Sequence, residues 1–312
     1  MCRETYRGFK SLILRECSSF FVIRLYTLSV QSRSHWFFHT MRIQQWPKNS
    51  LVSVAPFSAG TLFENIDTLA LGTLLFCLAS SFGYAVNDWI DQAIDRNNPK
   101  RLGRPFASGQ FGLPHLFLLL FSLFALMLIL ALFLPIKFVL CAIIYVIISI
   151  SYSIKFKQIP VVELFFVSSG FILRSISGAL LFNLEISSWL LLVTGSGSML
   201  IVSSKRLSEK SSESFVNHRS VLQEYESHYL RSLTQIATTT CLISYALWVF
   251  NTHPNSVPVI STIVPFSILL FAYLKEGDGN KGENPESVIS KSPLILGCLF
   301  LTSCLLFLEF YV

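Results

Sequence analysis

Apolar residues fill long, nearly uninterrupted stretches of this chain, and short polar segments separate them. A helix needs about 20 mostly apolar residues to cross the hydrocarbon core of a bilayer. Because no water reaches that core, each crossing segment must satisfy its own backbone and therefore forms a helix. The pattern predicts nine such spans, at 43–62, 67–87, 113–134, 136–154, 159–182, 187–207, 231–251, 255–275 and 290–311. We therefore expect an all-α, multi-pass membrane protein.

The composition supports this class. Of the 312 residues, 52% are hydrophobic and only 13% are charged, and the mean hydropathy is +0.58. A soluble domain carries about 25% charged residues. Membrane lipid is therefore the expected partner of the outer surface, and we expect no nucleic-acid partner. The sequence does not indicate an oligomeric state.

The distribution of basic residues predicts the orientation of the spans. Nearly all Lys and Arg of the loops lie at 88–112, 155–158, 205–231 and 275–291, whereas the opposite loops hold essentially Lys137 alone. Positively charged loops stay in the cytoplasm. The charges thus place the first set of loops and the N-terminus inside and the C-terminus outside, and the bacterial cytoplasmic membrane is the expected location.

Residues 1–40 differ from the remainder. They contain five Arg, one Lys, many Ser and two acidic residues. Three interpretations remain open: an organelle transit peptide, an amphipathic helix at the membrane surface, or upstream sequence with translation starting at Met41. We favour a dispensable extension, which gives two predicted parts: an extension at 1–40 and a transmembrane domain at 41–312.

The polar run that ends the second span is the strongest chemical signal. It contains Asn87, Asp88, Asp91 and Asp95. Carboxylates at positions i, i+3 and i+7 lie on one side of a helix, and their mutual repulsion must be offset. Mg²⁺ binds carboxylate oxygens together with substrate phosphates. We predict a Mg²⁺ site with Asp88, Asp91 and Asp95 as catalytic metal ligands and Asn87 as an orienting group; the alternative is a helix end with solvated acids.

A basic segment follows this acidic face. Arg101 and Arg104 flank Gly103, which allows a close backbone approach, and Pro105 stiffens the turn. Arginine guanidinium groups match phosphate oxygens bidentately. Alone, the segment would suggest positive-inside anchoring; next to three aspartates it predicts a phosphate clamp.

Further polar residues interrupt the edges of other predicted spans. The candidates for phosphate or substrate binding are Lys48, Tyr152, Lys155, Lys157, Lys205 and Arg206. The alternative for each is snorkelling or interfacial anchoring.

The fifth span carries two charges, Glu163 and Arg174. They are eleven residues apart, which returns to nearly the same helical face. A charge at that depth is costly, so we expect both to face an internal cavity and to contact substrate. A structural ion pair or a capping role for Arg174 is the alternative.

These motifs together resemble the UbiA superfamily of intramembrane transferases. Asn87, Asp88, Asp91 and Asp95 match its NDxxDxxxD motif, and residues 104–109 match the RPxxSG that follows. The resemblance extends from about Met41 to the C-terminus and implies nine helices around a cavity open to the cytoplasm and to lipid. Four further stretches are similar to a branch that transfers phosphoribosyl groups to decaprenyl phosphate: 45–49, 152–157 with 168–174, 203–209 and 282–286.

The resemblance implies a Mg²⁺-dependent pentosyltransferase. Its donor would be 5-phosphoribosyl 1-diphosphate, held through Mg²⁺ by the aspartates with Lys48 and Arg104. Its acceptor would be a polyprenyl phosphate, and diphosphate would be released. The basic residues Lys155, Lys157, Lys205 and Arg206 would bind the acceptor phosphate or the ribose 5-phosphate. Two departures concern the substrate: Glu163 replaces an expected Asp, and Ser290-Lys291 stands where an acid is usual.

Two other functions are considered. A UbiA-type prenyltransferase would move an isoprenoid from its diphosphate to an aromatic or other acceptor. That type carries a second Asp-rich motif after the sixth span, but this chain has no Asp between positions 96 and 277. A transporter or lipid-binding scaffold is the other possibility, although the sequence lacks the inverted repeats that transporters often show.

Overall fold

The computed structural model describes residues 37–97, 101–211, 221–277 and 285–312, and its regular elements in these ranges are all helical. This confirms the all-α prediction. A 3₁₀ segment, Ile43–Ser53, precedes the first α-helix. The α-helices in chain order are α1 (Val54–Ser58), α2 (Ile66–Ile90), α3 (Gln92–Arg96), α4 (Leu113–Ala131), α5 (Ile136–Ile154), α6 (Val162–Leu181), α7 (Ser188–Ser211), α8 (Val221–Glu224), α9 (Ser227–Thr252), α10 (Val257–Ser261), α11 (Ile263–Gly277), α12 (Pro285–Lys291) and α13 (Pro293–Tyr311).

Seven helical segments in the described ranges are long and apolar enough to cross a membrane: Ile66–Ile90, Leu113–Ala131, Ile136–Ile154, Val162–Leu181, Ser227–Thr252, Val257–Glu276 and Pro293–Tyr311. Large apolar side chains cover their outer faces; Phe121, Leu132 and Phe300 are 72%, 79% and 72% exposed. An apolar surface of this extent requires lipid around it. The chain is therefore an integral membrane protein.

Two of the nine predicted spans are not among the seven helical segments that are long and apolar enough to cross a membrane. The first, 43–62, folds as the 3₁₀ segment followed by the short helix α1. Pro47 lies inside the 3₁₀ segment, where it removes a backbone donor, and the segment packs against α2 and α6. The sixth, 187–207, does form the long helix α7, but the Ser- and Gly-rich stretch 194–198 dilutes its apolar character.

The long helices pack side by side into one bundle. Helix α2 packs against α4 and α5, α6 packs against α5 and α7, and α7 has its most extensive packing with α9. The last helix returns to the beginning of the chain: Tyr311 donates to the Phe57 carbonyl at 3.1 Å and accepts from the Leu62 amide at 3.2 Å. The termini of the described bundle are thereby fastened to each other.

Packing begins before Met41. Residues 37–40 are helical, Thr40 is fully buried, and the Phe37 ring meets Phe111 edge-on with 5.9 Å between centroids. Ser81 Oγ also donates to the Met41 carbonyl at 2.8 Å. The folded part therefore includes at least four residues that the sequence assigned to the extension. Residues 1–36 lie outside the described residues, as do Lys100 and most of the 282–286 stretch.

We expect deletion of residues 1–36 to leave the thermal unfolding midpoint unchanged. Deletion of residues 1–40 should lower the midpoint, because it removes the Phe37–Phe111 contact and exposes the site that Thr40 fills. Differential scanning fluorimetry of the two truncated proteins in the same detergent checks this. Equal midpoints would show that residues 37–40 contribute nothing to the fold.

Helix α6 approaches the 3₁₀ segment closely at Gly178. A Cβ atom there would collide with the backbone carbonyl of Val52 and touch Pro56. Gly178→Ala should therefore destabilise the protein by about 1–3 kcal/mol through overpacking, measured as a lower thermal midpoint. Gly297→Ala is the matched control, because nothing lies within 4 Å of its added Cβ. Equal midpoints in the two variants would contradict this packing.

Candidate active site

The acidic motif lies where α2 ends and the short helix α3 continues after a bend at Asp91. The Asp91 amide donates to the Asn87 carbonyl at 2.9 Å, and the Asp95 amide donates to the Asp91 carbonyl at 2.9 Å. Helical hydrogen bonds thus continue through the bend. Because the helical repeat persists, the side chains of residues 88 and 95 project in similar directions, and Asn87 lies half-buried beside them.

Asp88 and Asp95 converge on one guanidinium. Arg104 Nη1 lies 2.9 Å from Asp88 Oδ1 and 2.6 Å from Asp95 Oδ2. Arg42 adds a second contact to Asp88 at 2.5 Å, and Arg101 adds one to Asp95 at 3.0 Å. Both carboxylates are almost fully buried, so these cations replace the water that each charge has lost.

This group of five side chains, the Asp–Arg cluster, carries more positive than negative charge among the described residues. Burial lowers the pKa of Arg104, and repulsion from Arg42 lowers it further against the opposing pull of Asp88 and Asp95. Burial also acts to lower the pKa of Arg42, but the Asp88 carboxylate outweighs it, so that pKa is raised. An anionic ligand such as a diphosphate would relieve this crowding of cations.

Asp91 takes a different partner. It forms a close ion pair with Lys157, which lies on the 3₁₀ turn Phe156–Gln158 after α5. Of the three predicted metal ligands, Asp88 and Asp95 therefore lie together at Arg104, whereas Asp91 pairs with Lys157. In the described part of the chain, no three His, Cys, Asp or Glu residues are grouped closely enough to hold a metal by themselves.

The donor set nevertheless fits Mg²⁺. This ion is commonly held by one or two carboxylates and completes its shell with water and substrate phosphates, without an all-protein cage. Asp88 and Asp95 supply two hard oxygen ligands that point at a common cation, the Arg104 guanidinium. Their convergence is the feature that a metal bridging to a phosphate requires.

A second buried cluster connects α5, α6 and α7. Arg206 donates from Nε and Nη2 to the two oxygens of Glu163, both at 2.7 Å, and from Nη1 to Glu209 at 2.6 Å. Tyr152 Oη donates to Glu163 at 3.4 Å. Both terminal nitrogens and Nε of Arg206 therefore face carboxylates. Lys205, next to it on α7, is half-buried, and Lys155 is exposed at the end of α5.

Arg174 is buried among neutral groups. It donates to Asn49 Oδ1 and the Gly170 carbonyl at 2.6 Å each, to Tyr145 Oη at 2.8 Å and to Ser80 Oγ at 3.0 Å. Ser80 precedes Asp88 by eight residues on α2, which is about 12 Å along the helix axis. Arg174 therefore lies deeper in the bundle than the Asp–Arg cluster, and Glu163 is paired with Arg206.

The beginning of the 3₁₀ segment contributes residues that the sequence did not assign to the site. Arg42 pairs with Asp88, and Asn49 binds Arg174. Lys48, which was assigned to the site, donates to Gln45 Oε1 at 2.5 Å. Arg42 and Asp88 are 46 positions apart, and Asn49 and Arg174 are 125 positions apart, so no local spacing links either pair. The signal in the sequence was the polarity of Arg42 and Asn49 at the edge of an apolar segment.

The amino-acid sequence matches a known protein family and several named relatives. The profile of the UbiA prenyltransferase family matches residues 50–302. Decaprenyl-phosphate phosphoribosyltransferase of Corynebacterium glutamicum is 32% identical over 260 residues, covering 80% of this chain and 78% of the relative. The enzyme of the same name from Mycobacterium tuberculosis is 30% identical over 257 residues, covering 80% and 85%.

Solved structures agree on the fold. A UbiA homolog from Archaeoglobus fulgidus bound to DMAPP and Mg²⁺ superposes with a TM-score of 0.69 at 16% identity, covering 86% of this chain and 98% of that one. The family match and the named relatives identify the chain as a transferase. The chain belongs to the UbiA prenyltransferase family, as its two sequence motifs indicated.

The Arg174 network leads to a discriminating prediction. Arg174→Leu should lower the thermal midpoint, because Asn49, Ser80 and Tyr145 lose a shared buried donor; the cost is about 1–3 kcal/mol, since these three groups remain bonded to each other. The exposed Lys137→Leu is the control and should leave the midpoint unchanged. If Arg174→Leu kept the wild-type midpoint and lost only donor binding, direct substrate contact would be the correct interpretation.

Proposed function

We propose that this protein transfers the 5-phosphoribosyl group from 5-phosphoribosyl 1-diphosphate to a polyprenyl phosphate and releases diphosphate. The observation that carries the proposal is the Asp–Arg cluster: two buried carboxylates converge on Arg104, and three guanidinium groups surround them. The names of the relatives that match about 80% of the chain support the same chemistry. The catalytic domain spans about 41–312, and the helical residues 37–40 pack against it.

The donor binds at the Asp–Arg cluster. Asp88, Asp91 and Asp95 would hold Mg²⁺, and the ion would supply positive charge for the diphosphate leaving group. Arg42, Arg101 and Arg104 neutralise the remaining negative charge, because guanidinium groups bind phosphate oxygens bidentately. Their side chains are 19–26% exposed, whereas those of their carboxylate partners are 1–2% exposed, so a ligand meets the arginines first. Asn87 orients the aspartates, and Lys48 helps to neutralise the diphosphate.

The acceptor phosphate attacks the anomeric carbon of the ribose. A new bond forms between a phosphate oxygen and that carbon, and the bond from the carbon to the diphosphate oxygen breaks. A phosphate is already anionic at neutral pH, so the reaction needs no general base. Catalysis then comes from positioning and from charge stabilisation. Lys155, Lys157 and Lys205 bind the acceptor phosphate or the ribose 5-phosphate.

The buried cluster around Arg206 has a supporting role in this proposal. Its bidentate pair with Glu163, the contact with Glu209 and the Tyr152 hydroxyl fix the ends of α5, α6 and α7 relative to each other. Since Tyr152 precedes Lys157 by five residues, these contacts also position the Asp91–Lys157 pair. Glu163, Arg206 and Tyr152 thus act on substrate binding through the lysines, and Arg174 acts by holding the 3₁₀ segment that follows Arg42.

Orientation follows from charge. The Asp–Arg cluster, Lys155, Lys157, Lys205 and Arg206 lie at the basic end of the bundle, which positive-inside sorting places in the cytoplasm. The water-soluble donor then enters a cavity from the cytoplasm, and the prenyl tail of the acceptor lies in lipid. Nine membrane-crossing segments complete this arrangement if the 3₁₀ segment with α1 and helix α7 are counted with the seven apolar helices.

A UbiA-type prenyltransferase remains the alternative, because solved relatives of the same fold bind prenyl diphosphates. Those relatives share only 16–17% identity with this chain, and that likeness concerns the fold. The chain offers lysine and arginine where a second Asp-rich motif would lie. A site with one carboxylate group and many cations suits a donor with several phosphates.

Asp88→Asn should reduce transfer by about 10²-fold or more, because it removes one metal ligand and leaves Arg42 and Arg104 facing a neutral amide. The assay incubates purified protein with labelled 5-phosphoribosyl 1-diphosphate, a polyprenyl phosphate and Mg²⁺, and counts lipid-extractable label. Asp67→Asn is the matched control, since Asp67 is exposed at the other end of α2, and it should retain full activity.

Full activity of Asp88→Asn with an unchanged thermal midpoint would remove the Asp–Arg cluster from the mechanism. A parallel reaction with labelled prenyl diphosphate distinguishes the two transferase types. If label moves to an acceptor only from the prenyl diphosphate, the alternative function is correct. Chelation of Mg²⁺ with EDTA should abolish transfer from the phosphoribosyl donor, and added Mg²⁺ should restore it.

A further inference from the structure

A polar cleft of about 230 Å³ lies between α7, α9 and α11. Its walls contain Arg231, Lys275, Ser204, Thr234 and Gln235, with two leucines. The cleft opens at the same end of the bundle as the Asp–Arg cluster. Arg206, near the cleft on α7, pairs with Glu163 at the start of α6, and Lys157, just before α6, pairs with Asp91. None of the residues that line this cleft has a role in the proposed phosphoribosyl transfer.

The cleft lies on the other side of α7 from the Arg206 cluster. Ser204 and Leu207 are three residues apart and share one helical face. Arg206 is two residues from Ser204, which is about 200° around the helix, and it points at Glu163 on α6. A ligand in the cleft therefore contacts a different surface of α7 from a ligand at the proposed active site.

The lining chemistry suits an anion. Arg231 and Lys275 supply two cationic groups, and no acidic side chain is among the described residues that line the cleft. Ser204 is only 2% exposed but is part of the cleft wall, so its hydroxyl is placed to donate to an oxygen that enters the cleft. Thr234, which is 4% exposed, is already bonded to the Leu230 carbonyl.

The apolar surface beside the cleft indicates a lipid. Lys275 is near the end of α11, and Phe271 and Ile268, one and two turns earlier, are 56% and 41% exposed. Phe271 and Ile268 share the helical face of Lys275, and Arg231 is near the start of the neighbouring helix α9. Helix α11 therefore presents apolar side chains deeper in the membrane, below the two cations at its surface. A phosphate with acyl chains attached contacts both parts, whereas a free phosphate contacts only the cations.

We propose that this cleft binds the phosphate headgroup of an anionic membrane phospholipid, at a site separate from the Asp–Arg cluster. Arg231 and Lys275 bind the phosphate oxygens, Ser204 donates to one of them, and the acyl chains lie along α11. Basic pockets between transmembrane helices bind anionic lipid headgroups through this combination. Occupation of the cleft ties three helices together at the surface on which the active site opens.

Native mass spectrometry of the purified protein tests the proposal. Protein in a neutral detergent is incubated with phosphatidylglycerol or with phosphatidylcholine, and retained lipid is counted. The wild type should retain phosphatidylglycerol preferentially. Arg231→Gln combined with Lys275→Gln should reduce that retention about tenfold or more, and Lys291→Gln should not, because Lys291 is an exposed lysine outside the cleft lining.

A second variant covers the case in which the double substitution unfolds the protein. Ser204→Ala keeps both charges and should weaken phosphatidylglycerol retention by about 2–10-fold through the lost hydrogen bond. Equal retention by Ser204→Ala, the double variant and Lys291→Gln would overturn the site. The thermal midpoint with and without phosphatidylglycerol gives an independent readout, and it should rise only in proteins with an intact cleft.

Competition separates the sources of phosphate. Inorganic phosphate at millimolar concentration should leave the bound phosphatidylglycerol in place; full displacement would show that the cleft binds a free anion. Polyprenyl phosphate should also fail to displace it. If polyprenyl phosphate competes and this depends on Arg231 and Lys275, the cleft belongs to the acceptor and the proposed separation is wrong. Because retention is measured without turnover, these results do not depend on the proposed function.

Discussion

The double contact of Arg104 with Asp88 and Asp95 is the constraint on which the site depends. Two buried carboxylates close to each other repel strongly in a medium of low dielectric constant, and neither is stable there without a cation. Arg104 serves both and thereby fixes the 101–112 connection against the end of α2. Apolar packing reinforces this placement: Phe106, two residues after Arg104, is fully buried and meets Trp89 edge-on at 5.7 Å. The connection is consequently part of the scaffold.

The three buried arginine environments differ in how they compensate charge, and the difference separates scaffold from site. Arg206 is enclosed with two carboxylates, and Arg174 is enclosed with neutral acceptors; both are 3–4% exposed. Among the ion pairs of the described residues, only those of Asp88 and Asp95 join a buried carboxylate to partly exposed cations. Charges that are closed off on all sides stabilise one arrangement of helices. Charges that face an opening from one side remain available to a ligand, and this distinguishes the Asp–Arg cluster from the other two.

Local patterns predicted what depends on short separations along the chain. The apolar stretches predicted the seven long helices, and the spacing of 88, 91 and 95 predicted carboxylates at one helix end with Arg104 beside them. The sequence did not predict the partners of Glu163 and Arg174. Their spacing of eleven residues places both on one helical face and suggested a shared environment. Instead, Glu163 pairs with Arg206 on α7, and Arg174 binds Asn49 on the 3₁₀ segment. The sequence also did not predict that the first span begins as a 3₁₀ segment, in which Asn49 is bound by Arg174. Long-range pairing of single polar groups has no periodic signature.

Two of the three non-glycine residues with positive φ in the described ranges lie in connections that hold the site; the third, Asn183, does not. Arg42 and Val161 have φ angles of 48° and 65°, which cost on the order of 1–3 kcal/mol for a non-glycine residue. Arg42 recovers part of that cost through its ion pair with Asp88. Val161 donates its amide to Tyr225 Oη at 2.7 Å, and burial raises the pKa of Tyr225 to about 12, so the phenol stays neutral at physiological pH. Val161 directly precedes α6, which carries Glu163, and follows the turn that carries Lys157. The strained connections therefore orient the charged side chains, whereas the long apolar helices hold those connections at one surface of the bundle.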